Sequence, residues 1–263
     1  MNAFPVFDAH INYKSLVMDD IEGRFSESDL EGFVLIQSNP SQEETEKALK
    51  FAESNALVSA ASVWVDIEDD LFSSEITKFK NFSKMRGVIL PVNEHKENYW
   101  LLEEDILKKL KLLSDSNLTL DLVLEPRQIP SVQELAKHLP ELKIMVTSIG
   151  SPYIARNERE PWGVYMMNLA TEKNVYVKLN GLPSLDTLPK WSTAHLKIFV
   201  EPILRLFGYS RVVYGGDDEL DPAHGDYRAV FNALVDAVSP LTDGQYGRIF
   251  AQNGKAFYGV TNA

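Results

Sequence analysis

Eight short apolar runs recur along this 263-residue chain, most of them followed by an amphipathic stretch, and that alternation restricts the fold more than any other feature. The runs are Val6 to His10, Gly32 to Gln37, Leu57 to Val65, Arg86 to Pro91, Leu118 to Leu124, Leu142 to Thr147, Asn174 to Leu179 and Arg211 to Gly215. Strands that alternate with helices pair in parallel, and eight such units close into a (β/α)8 TIM barrel of the α/β class. An open doubly wound sheet is the competitor, but it carries a Gly-rich first turn and none is present here. Ser41-x-x-Glu44 and Ser131-x-x-Glu134 read as capping boxes that start two of the helices. With no linker-like or low-complexity break, residues 1–263 are expected to form a single barrel domain.

Composition narrows the function. No apolar run reaches the ~18 residues that would cross a bilayer, and Met1 to Pro5 lacks the basic and apolar regions of a signal peptide. With no cysteine there is no disulfide, thiolate ligand or Cys nucleophile, so the cytoplasm is the expected compartment. The net charge of -12 argues against nucleic acid, whose phosphates need a basic stripe. Residues 1–80 carry most of the acidic excess, with 16 Asp and Glu against 6 Lys and Arg, and read as a solvated acidic face. Monomer and homo-oligomer both stay open.

In a barrel of this kind chemistry sits where the strands end. Those ends offer His10, Asn12, Gln37, Trp64, Asp66, His95, Glu125, Arg127, Thr147, Ser148, Lys178, Asn180, Asp217 and Asp218. Such a rim suits a small polar substrate, anionic or hydroxylated. Asp8-Ala9-His10-Ile11-Asn12 is the most telling stretch. Alternate strand residues share a face, so His-x-His on a strand end presents two imidazoles to one metal. Here the second imidazole is replaced by Asn12, a weak neutral donor.

Phe7 to Asn12, Val34 to Gln37, Val63 to Asp66 and Met85 to Val88 resemble successive blocks of the amidohydrolase-2 family. Later blocks continue the resemblance in order, through Ile149-Gly150-Ser151-Pro152, Asn174 to Leu182, Tyr214-Gly215-Gly216-Asp217, Asn253 and Phe257-Tyr258. The branch they are most similar to is that of the sugar and dicarboxylate lactonases. The resemblance implies a metal-dependent-hydrolase-like barrel and a role in carbohydrate metabolism. Against that family pattern Asn12 and Ser148 stand where imidazoles are expected, and Ile89 stands where some lactonase relatives carry Arg. His10, Lys178 and Asp217 survive.

A hydrolytic zinc site keeps three good protein ligands plus water. The expectation is therefore no tightly bound cofactor; a weakly held zinc or manganese would rest on His10 and Asp217. Opening a lactone needs only a base for water and groups to hold the carbonyl and carboxylate oxygens. Asp217 is the expected base, His10 the group that orients water or polarises a carbonyl, and Lys178 a substrate-oxygen contact. For Lys178 the competing reading is a salt bridge inside the barrel; for Asp217 it is a residual ion pair with His10 or Lys178, and for His10 a buried hydrogen bond to Asp217. Asn12, Arg127, Ser148, Asn180 and His224 complete the expected substrate-binding set, Arg127 as a bidentate carboxylate clamp. His138 and His195 lie in helical contexts, and Trp64, Trp100 and Trp162 fit core packing better than a stacking wall. No Gly-x-Ser-x-Gly elbow supports a serine triad. The reading is a hydrolase of a small sugar-acid or carboxylated lactone. Its alternative is a catalytically silent barrel that binds an anionic metabolite or a protein partner.

Overall fold

The computed structural model describes residues 4–16, 30–185, 191–216 and 227–261. All eight apolar runs are strands: β1 (Val6–Asn12), β2 (Leu30–Gln37), β3 (Val58–Val63), β4 (Met85–Pro91), β5 (Thr119–Val123), β6 (Ile144–Val146), β7 (Val175–Leu179) and β8 (Val212–Tyr214). They form one sheet in sequence order, and every ladder from β1–β2 to β7–β8 is parallel. At the return from β8 to β1, the Gly216 amide donates to the Asp8 carboxylate at 2.9 Å. The result is a nearly closed (β/α)8 TIM barrel, as the alternation of runs requires.

Alternation along each strand sorts the apolar residues into two cores. Phe33 and Leu35 on β2 face the surrounding helices, where they join Leu49, Phe72 and Leu135. Their neighbours Val34 and Ile36 turn inward and meet Ala60, Ile89, Met145 and Val213 inside the barrel. Phe257 and Tyr258, which lie past the eighth strand, belong to that inner cluster. Fully burying a side chain of this size contributes roughly 1.5–3 kcal/mol, so the outer core supplies most of the driving force.

The helix starts depart in part from the capping motifs. Ser41 caps the helix Gln42–Ser54, its Oγ accepting the Glu44 amide at 3.4 Å, but the Glu44 carboxylate turns to Asn39 instead of reaching back. Ser131 is no cap. The helix Ile129–His138 begins two residues before it, and the Ser131 hydroxyl donates to the Gln128 carbonyl at 2.7 Å. The start is set upstream, where the Glu125 amide donates to Gln128 Oε1 at 2.9 Å. Among the described residues no helix is long and apolar enough to cross a membrane.

Candidate active site

β1 is buried along its whole length, which forces its polar side chains to find partners or remain unsatisfied. Asp8 finds three. Its Oδ1 accepts the amides of His10 at 2.8 Å and Gly216 at 2.9 Å, and its Oδ2 accepts the Tyr227 hydroxyl at 2.8 Å. Burial raises the Asp8 pKa to about 6, against the lowering effect of these donors and of Lys178. The packing leaves room only for glycine at 216: a Cβ there would lie 2.3 Å from Asp8 Oδ2 and 2.4 Å from a Tyr227 ring carbon. Asp8 thus ties the first strand to the backbone that leads into Asp217. Sequence reasoning missed this carboxylate, although an acid within an apolar strand was its signal.

His10 is different. It is 8% exposed, and its buried Nδ1 has no hydrogen-bond partner among the described residues. Burial, reinforced by the Lys178 charge, holds its pKa well below 6.5, so the imidazole is neutral. Gly215 marks where the strand ends converge. A Cβ at that position would sit 2.8 Å from the His10 Cβ, 3.0 Å from the Asn180 Cβ and 3.2 Å from Lys178 Cδ. Glycine lets the ends of β1, β7 and β8 close on one another.

Asn180 and Ser148 form a pair at the ends of β7 and β6. The Ser148 amide donates to Asn180 Oδ1 at 2.8 Å, and Asn180 Nδ2 donates to the Ser148 hydroxyl at 3.3 Å. Ser148 and Ile149 are both left-handed, with φ of 49° and 48°. Two consecutive non-glycine residues in this region are costly, and such strain gathers at functional sites. Asn12 completes the polar set, its Oδ1 accepting the Lys14 amide at 3.0 Å.

Lys178, expected as a substrate contact, is enclosed within the barrel. It is fully buried, and its Nζ donates to Asp121 Oδ1 and to the Tyr258 hydroxyl, both at 2.8 Å. The Tyr258 hydroxyl donates to the same Asp121 oxygen at 2.6 Å, while Ser62 donates to the other at 2.8 Å. This is the salt bridge inside the barrel, and burial lowers the Lys178 pKa despite Asp121. Its influence on the site is through its charge, which helps keep His10 neutral.

Arg127 is not a free clamp either. Its Nε donates to Glu125 at 2.7 Å, Nη1 to the Lys96 carbonyl and Asn98 Oδ1, and Nη2 to the His95 carbonyl. The guanidinium pins the loop after β4 to the loop after β5. The His95 ring stacks on Trp100 with centroids 3.7 Å apart. Gln37 accepts from Thr45 and from the Trp64 amide, and so braces β2 against β3. Trp100 and Trp162 are core residues, and Trp64 is half-buried. His138 and His195 lie on helices. Asp217, Asp218 and His224 fall outside the described residues.

Near His10, the donors among the described residues do not make up a tight zinc site. Among the described residues no three His, Cys, Asp or Glu side chains come together as a metal group. Across Gly215 from His10 stands Asn180, whose amide pairs with the Ser148 hydroxyl, and these neutral groups bind hydroxyls better than a divalent cation.

Comparison with known proteins identifies the family. Residues 8–260 match the family model described as amidohydrolase. The L-fucono-1,5-lactonase of Burkholderia ambifaria is 27% identical over 220 residues, which cover 82% of this chain and 76% of that protein. A Burkholderia multivorans amidohydrolase solved with zinc bound superposes with a TM-score of 0.88 at 17% identity, covering 98% of this chain and 100% of that one. A probable 2-pyrone-4,6-dicarboxylic acid hydrolase of Acinetobacter baumannii, solved with citric acid bound, gives 0.78 at 14%, covering 97% and 100%. At these identities the two structures speak to the fold.

Proposed function

The chain belongs to the amidohydrolase family and is a hydrolase, and on that footing we propose that it opens a small sugar-acid lactone by attack of water. The reading is carried by one observation: a neutral, buried imidazole, its Nδ1 unpartnered among the described residues, stands where β1, β7 and β8 converge. Similarity to a protein named L-fucono-1,5-lactonase supports the substrate class. Lys178 and Arg127 are both committed to protein partners, which favours a hydroxylated ring over a lactone held by its own carboxylate. Asn12, Ser148 and Asn180 are the neutral groups suited to its hydroxyls.

In this proposal Asp217 is the general base. It takes a proton from water as the oxygen bonds to the carbonyl carbon. The tetrahedral intermediate then collapses, the ring C–O bond breaks, and the leaving alkoxide recovers a proton, giving a hydroxy acid. His10 hydrogen-bonds the water or the carbonyl oxygen; its tautomer is set by whichever it meets.

Asp217→Asn keeps the shape but removes the base. On a panel of sugar lactones kcat should fall by roughly 10²–10⁴-fold, with a smaller change in KM. Undiminished turnover would reject Asp217 as the base. A parent protein inactive on every lactone, yet stabilised by sugar acids, would favour the silent metabolite-binding barrel. The neutral donor set further predicts that protein purified without chelator holds well under one equivalent of zinc or manganese. Elemental analysis checks this, and a full equivalent would reassign His10 as a ligand.

A further inference from the structure

On the opposite face of the barrel, the starts of β4 and β5, the approach to β6 and the segment at Phe257–Gly259 enclose a pocket of about 320 Å³. Lys80, Arg86 and Lys143 line it together with a single acid, Glu141, so its charged groups sum to +2. That is unusual for a chain with 38 acidic and 26 basic residues. Many surface lysines elsewhere sit beside a carboxylate, as in Lys47–Glu43, Lys50–Glu46 and Lys108–Glu104.

The three cations at the pocket have no carboxylate partner among the described residues. Lys143 reaches only the Ala256 carbonyl, at 3.3 Å. Arg86 spends Nη1 on the carbonyls of Ser83 at 2.6 Å and Met85 at 3.2 Å, and its Nε and Nη2 edge meets no partner among the described residues. Ser114 and Ser116, whose hydroxyls take no partner among the described residues, line the same pocket. The floor is firm: Thr119 and Tyr258 are buried, and the Tyr258 hydroxyl is fixed by Lys178 and Asp121.

We propose that this pocket is a second binding site, for a small dianionic oxyanion of the phosphate type, free or as the end group of a phosphorylated metabolite. A guanidinium edge offers two parallel N–H donors to such a group, ammonium ions supply point charge, and hydroxyls complete its oxygens. A charge of +2 matches a dianion, and the volume lies at the small end of ligand pockets.

The test is calorimetric titration and thermal melting with inorganic phosphate and with glycerol 3-phosphate, against chloride at equal ionic strength. A saturable rise in melting temperature with either phosphate is expected. Affinity should drop about tenfold in Arg86→Gln and in the double variant Lys80→Gln, Lys143→Gln, the size of a lost hydrogen bond to a charged group. The lysines are exposed, so the double variant carries the test if Arg86→Gln fails to fold. Tighter binding of glycerol 3-phosphate assigns the site to a metabolite, and tighter binding of phosphate to the free ion. No saturable effect, or one undiminished in these variants, overturns the proposal.

Discussion

Lys178 and His10 both pack beneath Gly215, yet the barrel completes one and leaves the other open. Around Lys178, both Asp121 oxygens, the Ser62 hydroxyl and the Tyr258 hydroxyl are joined in a closed set of hydrogen bonds. Near His10, Asn180 pairs with Ser148, and the buried Nδ1 meets no partner among the described residues. Folding alone accounts for the first arrangement, because buried polar groups must be satisfied. It does not account for the second, since an unsatisfied buried group costs stability. Such a cost is characteristic of groups that meet their partner only when substrate is bound.

The sharpest way to break the comparison is at Lys178. Lys178→Met leaves Asp121 buried without its cation and should cost about 3–5 kcal/mol of unfolding free energy, measured with denaturant. Adding Asp121→Leu should recover most of that loss, because the uncompensated charge goes too. If Lys178→Met unfolds no more easily than the parent but loses turnover, Lys178 belongs with His10.

Asp8 lies between the two cases, with three donors yet a raised pKa. The folded state binds its proton more tightly than the unfolded chain, whose carboxyl titrates near 3.8. The stability this confers is fully present below 3.8 and is lost as pH rises through about 6. Asp8→Asn removes that dependence. The variant should gain about 3 kcal/mol on the parent between acid and neutral pH, read from denaturant curves at each pH. A variant that loses ground instead would put Asp8 with the closed cluster.

The smallest effect on stability is expected at His10. His10→Leu replaces an unsatisfied group with an apolar one, so unfolding free energy should stay within about 1 kcal/mol of the parent. Turnover of the lactone should disappear. A large loss of stability would mean that His10 holds the fold together and would remove the contrast with Lys178.

The strands were legible because each is a run of apolar residues, and burial on both faces of the sheet demands that pattern. The polar residues inside those runs were harder to sort. Asp121 and Lys178 each interrupt an otherwise apolar strand, two strands apart on the same sheet. Charges so placed have to be paired. Position at a strand end favoured substrate for Lys178, but its direction into the barrel was decided by Tyr258, 80 positions along the chain. The setting of Arg127 is hidden in the sequence for a related reason. Its partners are mainly backbone carbonyls of another loop, and carbonyls leave no trace in a sequence. The His10 frame was readable because strand periodicity alone sets which positions share a face.

Tyr258 also bears on how the molecule comes into being at the ribosome. A nascent chain that has produced all eight strands already contains Lys178 and Asp121, but not the hydroxyl that bonds to both. Until residue 258 leaves the exit tunnel, the centre of the barrel lacks one member of its hydrogen-bonded set. Translation order therefore makes closure of the interior a late event, and the eighth strand is not the last piece that the barrel waits for.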